Sequence, residues 1–361
     1  MRDHIFRPTL SRRALLAGMA TALAAEPIRL PGKVRVAIAG LEGHTGEITS
    51  HLKDLPDVEI AAICDKDAAA LDHFAHQPGI TGARRYRDYR SMLDAEKIDV
   101  AAVCNNDGER AAAILACLDR KVNVIAEKPL AITRPDLEKI KKAVARQKVK
   151  LGMLLGMRFE PAYLGLREIV QSGEIGDIVQ ISSQKSYQLG DRPDWYRRRE
   201  TYGSTILWIG IHMIDLMRFT SGREFTHASS FMGRVGFPEL GGMENSTATA
   251  FRLDNGGTAT LHMDYCRPKT APTHGDDRLR LAGTRGVVEY TDAGGVTLMT
   301  GESKLAAIDK FPPAGSVFAD FLEHVYNGKP TALPLADIYR DCEITLAAND
   351  AAVSGKVVHI A

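Results

Sequence analysis

A chain of 361 residues exceeds what one hydrophobic core usually serves, so about two domains are expected. Its 46 lysines and arginines nearly cancel 45 aspartates and glutamates, which leaves no overall field to recruit nucleic acid or an anionic membrane surface. The five cysteines (Cys64, Cys104, Cys117, Cys266 and Cys342) are odd in number and lack C-x-x-C or zinc-type spacing, so they read as small buried apolar residues and no metal site is expected.

Residues 1–25 combine a basic start, the run Ser11-Arg12-Arg13-Ala14-Leu15-Leu16, a short apolar segment, and a small-x-small site at Ala22-Leu23-Ala24. This is the layout of a secretory leader, and the paired arginines after serine resemble a twin-arginine signal. Export of a folded protein to the periplasm or beyond is expected, with a cytoplasmic location as the alternative. Beyond the leader no stretch approaches the ~20 apolar residues of a spanning helix.

Val34 to Ala39 predicts a strand that runs into Gly40-Leu41-Glu42-Gly43-His44-Thr45-Gly46, with a helix predicted from Glu47 to Leu55. A strand, a glycine turn and a helix in that order can seat a pyrophosphate on the helix amino end, and Gly40, Gly43, His44, Thr45 and Gly46 are the candidate contacts. The spacing G-x-x-G-x-x-G is one residue longer than G-x-G-x-x-G. A second strand, Val58 to Cys64, ends at Asp65, where an acid meets an adenosine ribose; this favours NAD over NADP, and Lys66 blurs the preference. Helices are predicted over Asp67 to His76, Arg90 to Asp94 and Glu109 to Arg120, and strands over Asp99 to Cys104 and Val122 to Ala126. The alternation implies a doubly wound parallel sheet.

The last of these strands stops at Glu127-Lys128-Pro129, which places a carboxylate and an amine at the carboxyl edge of the sheet, where open α/β sheets bind ligands. The glycine turn, the acid after the second strand and this E-K-P together resemble the Gfo/Idh/MocA family of oxidoreductases, over nearly all of residues 33–361. The resemblance implies that Lys128 lies beside the nicotinamide and the substrate hydroxyl, and that Glu127 and Asn105 border the cofactor. Where the family usually shows T-P-x-x-x-H, this chain reads Cys104-Asn105-Asn106-Asp107-Gly108-Glu109-Arg110.

The division into domains is expected at residues 33–130 and 131–361. A helix is predicted from Pro135 to Gln147, a strand from Leu151 to Leu155, and a helix from Pro161 to Ser172 after Arg158-Phe159, which matches the family's arginine followed by an aromatic residue. Strands then follow at Ile178 to Tyr187, His227 to Val235, Ala248 to Leu253, Gly257 to Tyr265, Asp277 to Ala282 and Gly286 to Thr291, implying an α+β domain with a largely antiparallel open sheet. Helices at Val317 to Asn327 and Leu335 to Ser354 are expected to pack back.

Within a predicted helix from Thr205 to Phe219, His212 and Asp215 are three apart on one face, so Asp215 can orient the imidazole. The family pattern here is D-x-G-x-H-x-x-D, and this chain carries Trp208 at the first aspartate. The indole cannot hold a proton, but its ring could stack on a sugar or on the nicotinamide. Lys128, His212 and Asp215 are the catalytic candidates, and Arg158, Tyr187, Trp208 and His212 the substrate-binding ones; Tyr196 and Tyr265 are further crevice candidates. Arg192 and Arg197 to Arg199 suit an acidic substrate group or a solvated loop.

The resemblance implies a nicotinamide-dependent oxidoreductase acting on a secondary alcohol of a sugar, cyclitol or glycoside, with NAD or NADP tightly bound and homo-oligomers formed through the open sheet face. Two other readings stand beside it: a redox-neutral epimerase, lyase or glycosidase with bound NAD, and a non-catalytic nucleotide- or sugar-binding protein.

Overall fold

The computed structural model describes residues 26–360; the leader-like segment 1–25 lies outside the described residues. Six strands, β1 (Val34–Ala39), β2 (Val58–Cys64), β3 (Arg84–Tyr86), β4 (Val100–Val103), β5 (Asn123–Ala126) and β6 (Leu151–Met153), form a parallel sheet in the order 3-2-1-4-5-6. Valine, isoleucine and alanine fill β1, β2, β4 and β5 almost without interruption because helices cover both faces. Asp67 caps the helix Ala68–Ala75 and Thr133 caps Arg134–Gln147, each accepting a first-turn N–H. The helix expected from Glu47 to Leu55 is two short pieces, Gly46–Thr49 and the 3-10 turn Leu52–Asp54.

The parallel sheet extends past the expected division at Leu130, since Leu151, Gly152 and Met153 pair in parallel with Val124, Ile125 and Ala126. The E-K-P segment therefore closes an inner strand of a sheet that continues beyond it.

The second sheet has nine strands: β7 (Ile178–Tyr187), β8 (Phe225–Gly233), β9 (Ser246–Leu253), β10 (Thr258–Asp264), β11 (Gly275–Gly283), β12 (Gly286–Thr291), β13 (Gly295–Thr300), β14 (Ala306–Ile308) and β15 (Val358–His359). Their order is 14-13-12-11-7-10-9-8-15, antiparallel except where β7 and β10 run in parallel. β9 and β10 alternate strictly between buried and exposed residues, so one sheet face is packed and the other open. A π-helical turn, Ile206–Gly210, leads into helix Ile211–Ser221, which is buried along nearly its whole length against the packed face. Ile338, Cys342 and Leu346 of helix Leu335–Ser354 join the apolar cluster that holds Val36 and Ile38. Of the cysteines, Cys266 is exposed, contrary to expectation, and the other four are buried. Among the described residues no helix is long and apolar enough to cross a membrane.

Candidate active site

The glycine turn after β1 is pressed against the carboxyl ends of its neighbours. Gly40 has φ +85°, and a Cβ there would lie 2.4 Å from the Asn105 backbone nitrogen. A Cβ on Gly43 would lie 2.8 Å from Glu127 Oε2 and 3.0 Å from the Cys104 carbonyl, whereas the same position at Gly46 meets nothing within 4 Å. The turn is thus tight on its inner side and open where the next helix begins, as a diphosphate requires. Asp65 accepts from the Leu41 N–H at 2.7 Å and the Asp67 N–H at 2.8 Å, so it fastens the turn as well as facing it. Lys66 is engaged with Glu109 at 3.0 Å and Glu42 at 3.8 Å. Asn105 Oδ1 is buried without a hydrogen-bond partner, and Thr45 makes no side-chain cap.

At the end of β5, Glu127 is fully buried and accepts from the His44 N–H at 2.5 Å, His44 Nδ1 at 2.8 Å and the Lys128 N–H at 2.9 Å. Burial pushes this carboxyl up, but His44, Lys128 and Arg110 more than offset it and hold the group ionised. The Lys128–Pro129 peptide is cis, and the Lys128 side chain is 1% exposed. Lys128 Nζ donates to the Trp208 carbonyl at 2.7 Å and stands 4.0 Å from Glu127 Oε1. Burial pulls the amine down to about 7, with Arg110 and Lys185 adding to the fall and Glu127 and Asp107 opposing it.

The amine meets the helix predicted to face it. Lys128 Nζ is 3.2 Å from the Trp208 ring centroid, the His44 ring stacks on that indole at 5.6 Å, and the His212 ring meets His44 edge-on at 6.2 Å. Trp195 and Tyr196 press their rings against Trp208 in edge-on contact. The indole expected to stack on a ligand is already occupied by Lys128 and His44. His212 Nδ1 has no hydrogen-bond partner, and burial together with Lys128, Lys185 and His44 holds the imidazole neutral.

Two expected partners lie elsewhere. Asp215 does not orient His212; its Oδ1 accepts from Arg158 Nε at 2.5 Å, because a sealed guanidinium must find a carboxylate. Arg158, 2% exposed, is no substrate contact: it also donates to Asp337 at 2.9 Å and lies 3.7 Å from Asp341, inside an ionic cluster that includes Arg218. Tyr187 stays half-buried, stacked on His274 at 4.9 Å. Tyr196 and Tyr265 are buried, with Arg192 over both rings, at the edge of a cavity of about 630 Å³. Arg197 and Arg199 are paired with Asp194 and Glu244, so much of the basic run is neutralised.

The sequence reading missed Lys185 and Asp277, a buried ion pair on β7 and β11. Ile181, Ser183 and Lys185 share the inward face of β7, so a lysine at that parity was the available signal. It also missed Asp107 and Arg110, both buried at the amino end of helix Asp107–Asp119.

A doubly wound sheet with a glycine turn at β1 and Glu-Lys-Pro at β5, walled by an open mixed sheet, defines the class of dinucleotide-binding α/β proteins. The chain belongs to the Gfo/Idh/MocA family: residues 34–154 match the oxidoreductase family model for its NAD-binding Rossmann fold, and residues 163–289 match the family's C-terminal domain model. Inositol 2-dehydrogenase of Salmonella typhimurium is 26% identical over 227 residues, 58% of this chain and 64% of that protein, so the match spans under two thirds of the relative. A solved structure from Thermotoga maritima, described as an oxidoreductase, is 30% identical with a TM-score of 0.83, covering 91% of this chain and 100% of that one. Levoglucosan dehydrogenase in complex with NADH shares the fold at 17% identity and a TM-score of 0.78, over 91% of this chain and 99% of that one.

Proposed function

We propose that the protein is an NAD-dependent dehydrogenase that oxidises a secondary alcohol of a sugar or cyclitol. The observation that carries this reading is the chain of contacts from Lys128 through Trp208 and His44 to His212 at the carboxyl edge of the sheet, beside a glycine turn open at Gly46. The bound nicotinamide supplies the hydride acceptor. Gly43, Gly46 and Asn105 would hold the nucleotide, and Asp65 favours NAD because a carboxylate at the end of β2 would repel a 2′-phosphate. The cofactor would stay bound between turnovers.

Lys128 is the better proton acceptor of the two candidates. An amine drawn down to about 7 is matched to neutral solution, whereas the imidazolium of His212 is strongly disfavoured. His212 therefore acts as a neutral hydrogen-bonding group that orients the hydroxyl. The names of relatives, inositol 2-dehydrogenase and levoglucosan dehydrogenase, support a polyol or sugar substrate.

The indole over Lys128 favours a second reading, a nucleotide-binding protein without turnover. Purified protein loaded with NAD⁺ and mixed with a panel of cyclitols and sugars separates the two. Reduction of the nicotinamide in wild type and not in Lys128→Ala, with nucleotide still bound in both, supports the dehydrogenase; bound nucleotide inert to every polyol supports the binder. A twin-arginine export route is proposed for the full chain, and cell fractionation that finds only unprocessed cytoplasmic protein would overturn it. Self-association through the open faces of β9 and β10 is proposed likewise, with sedimentation as its test.

A further inference from the structure

Trp208 stands where the family carries an aspartate, yet a carboxylate is sealed into the same cluster. Asp107 opens helix Asp107–Asp119 just beyond β4. It is 1% exposed, and apart from its ion pair with Arg110 neither oxygen has a hydrogen-bond partner. An acid in a first helical turn is ordinarily solvated or bound to free N–H groups, and a sealed one is disfavoured unless an interaction holds it there.

Arg110 supplies the hold. Its Nη1 lies 2.8 Å from Asp107 Oδ1, and the fully buried guanidinium donates to the carbonyls of Lys128 at 2.9 Å, Pro129 at 2.8 Å and Asn105 at 2.6 Å. The same guanidinium lies 5.8 Å from the Trp208 ring that covers Lys128 Nζ. Asp107 and Arg110 are therefore fastened to the backbone that carries Lys128 and to the residue that replaced the aspartate.

We propose that Asp107 is a positioning residue for Lys128: held by Arg110, it supplies the negative neighbour that lets the sealed amine accept and keep a proton. The inference rests on reading Lys128 as the proton acceptor. The charged and titratable groups acting on Lys128 are Glu127, whose charge is already shared among three donors, Asp107, Arg110, Lys185 from β7, and His212. When Lys128 takes the hydroxyl proton the cluster gains one positive charge, and an ionised Asp107 offsets it without any further proton transfer. Burial pushes Asp107 up and Lys128 down, toward each other, and each charge acts on the other, so the two groups titrate as a coupled pair.

The test is made on the full-length protein free of nucleotide, so it stands or fails apart from turnover. Lysine is labelled at Cε, and the Lys128 resonance is assigned by its loss in Lys128→Arg. Asp107→Asn is expected to lower the Lys128 titration midpoint by ~1 unit, and Asp107→Glu to restore part of the fall. An unchanged midpoint in folded Asp107→Asn overturns the proposal. If that variant does not fold, wild type decides: Asp107 Cγ and Lys128 Cε titrating together in two coupled steps support it, and two independent single-step curves contradict it.

Discussion

Lys128 lies where burial and charge act in opposite senses on one proton, and small changes around it should be visible. On the proposed function Lys128→Ala is expected to lower kcat/KM for polyol oxidation by ~10²–10⁴-fold, with nucleotide affinity little changed by calorimetry. His212 gives a prediction about stability. Its folded pKa lies well below 6.5, so under acid conditions the unfolded chain binds a proton that the folded chain excludes. The stability this group contributes is complete above about pH 6.5 and is lost as pH falls below it, by up to ~1.4 kcal/mol per unit. His212→Gln should flatten that acid limb in urea titrations; an identical limb in both proteins would contradict a sealed, neutral imidazole. The placement of Lys128 at a sheet edge was legible because E-K-P is a local pattern, whereas the i, i+3 spacing of His212 and Asp215 pointed to a pairing that does not form. The true partner of Asp215 was not legible, since Arg158 is 57 positions away in the chain and only packing brings them together.

At the level of elements, helix Asp107–Asp119 ties the nucleotide turn to the Lys128 segment. Asn106 caps it by accepting the Glu109 N–H at 3.2 Å, and its amide donates to Glu42 in the glycine turn at 3.1 Å. Asn106→Ala should cost ~1 kcal/mol in denaturant unfolding and also weaken NAD binding, because one side chain serves both elements. Gly43→Ala places a methyl group against Glu127 and the Cys104 carbonyl, so it is expected to abolish nucleotide binding while the protein still folds. The bounds of β1 and β2 were readable because buried parallel strands are nearly all apolar. The strands β13, β14 and β15 were not: β14 and β15 are edge strands of three and two residues, and β13 starts within the pair Gly294-Gly295 with a mixed pattern, so none carries much periodic signal.

Across the whole molecule, the ionic cluster of Arg158, Asp215, Asp341 and Arg218 joins the segment after β6, the buried helix and the carboxyl-terminal helix. Burial pushes both aspartates up, and the guanidiniums beside them keep the cluster compensated. Arg158→Met should destabilise the protein by ~3–5 kcal/mol, because it leaves the sealed Asp215 carboxylate without its guanidinium while Asp341 keeps Arg218. Gly108 closes the two domains elsewhere: a Cβ there would lie 2.0 Å from the Glu200 carbonyl, so the first domain's helix and the short helix Arg199–Tyr202 of the second meet backbone to backbone. The domain arrangement fixes what Lys128 faces, and the pH profile of nicotinamide reduction in the NAD-loaded protein reports on it most directly. With a polyol that turns over, the rate should rise with pH through a midpoint at or below about 7 and vanish in Lys128→Met. A midpoint near the ordinary lysine value of 10.5, or a profile unchanged in Lys128→Met, would contradict the assignment of the proton to this amine.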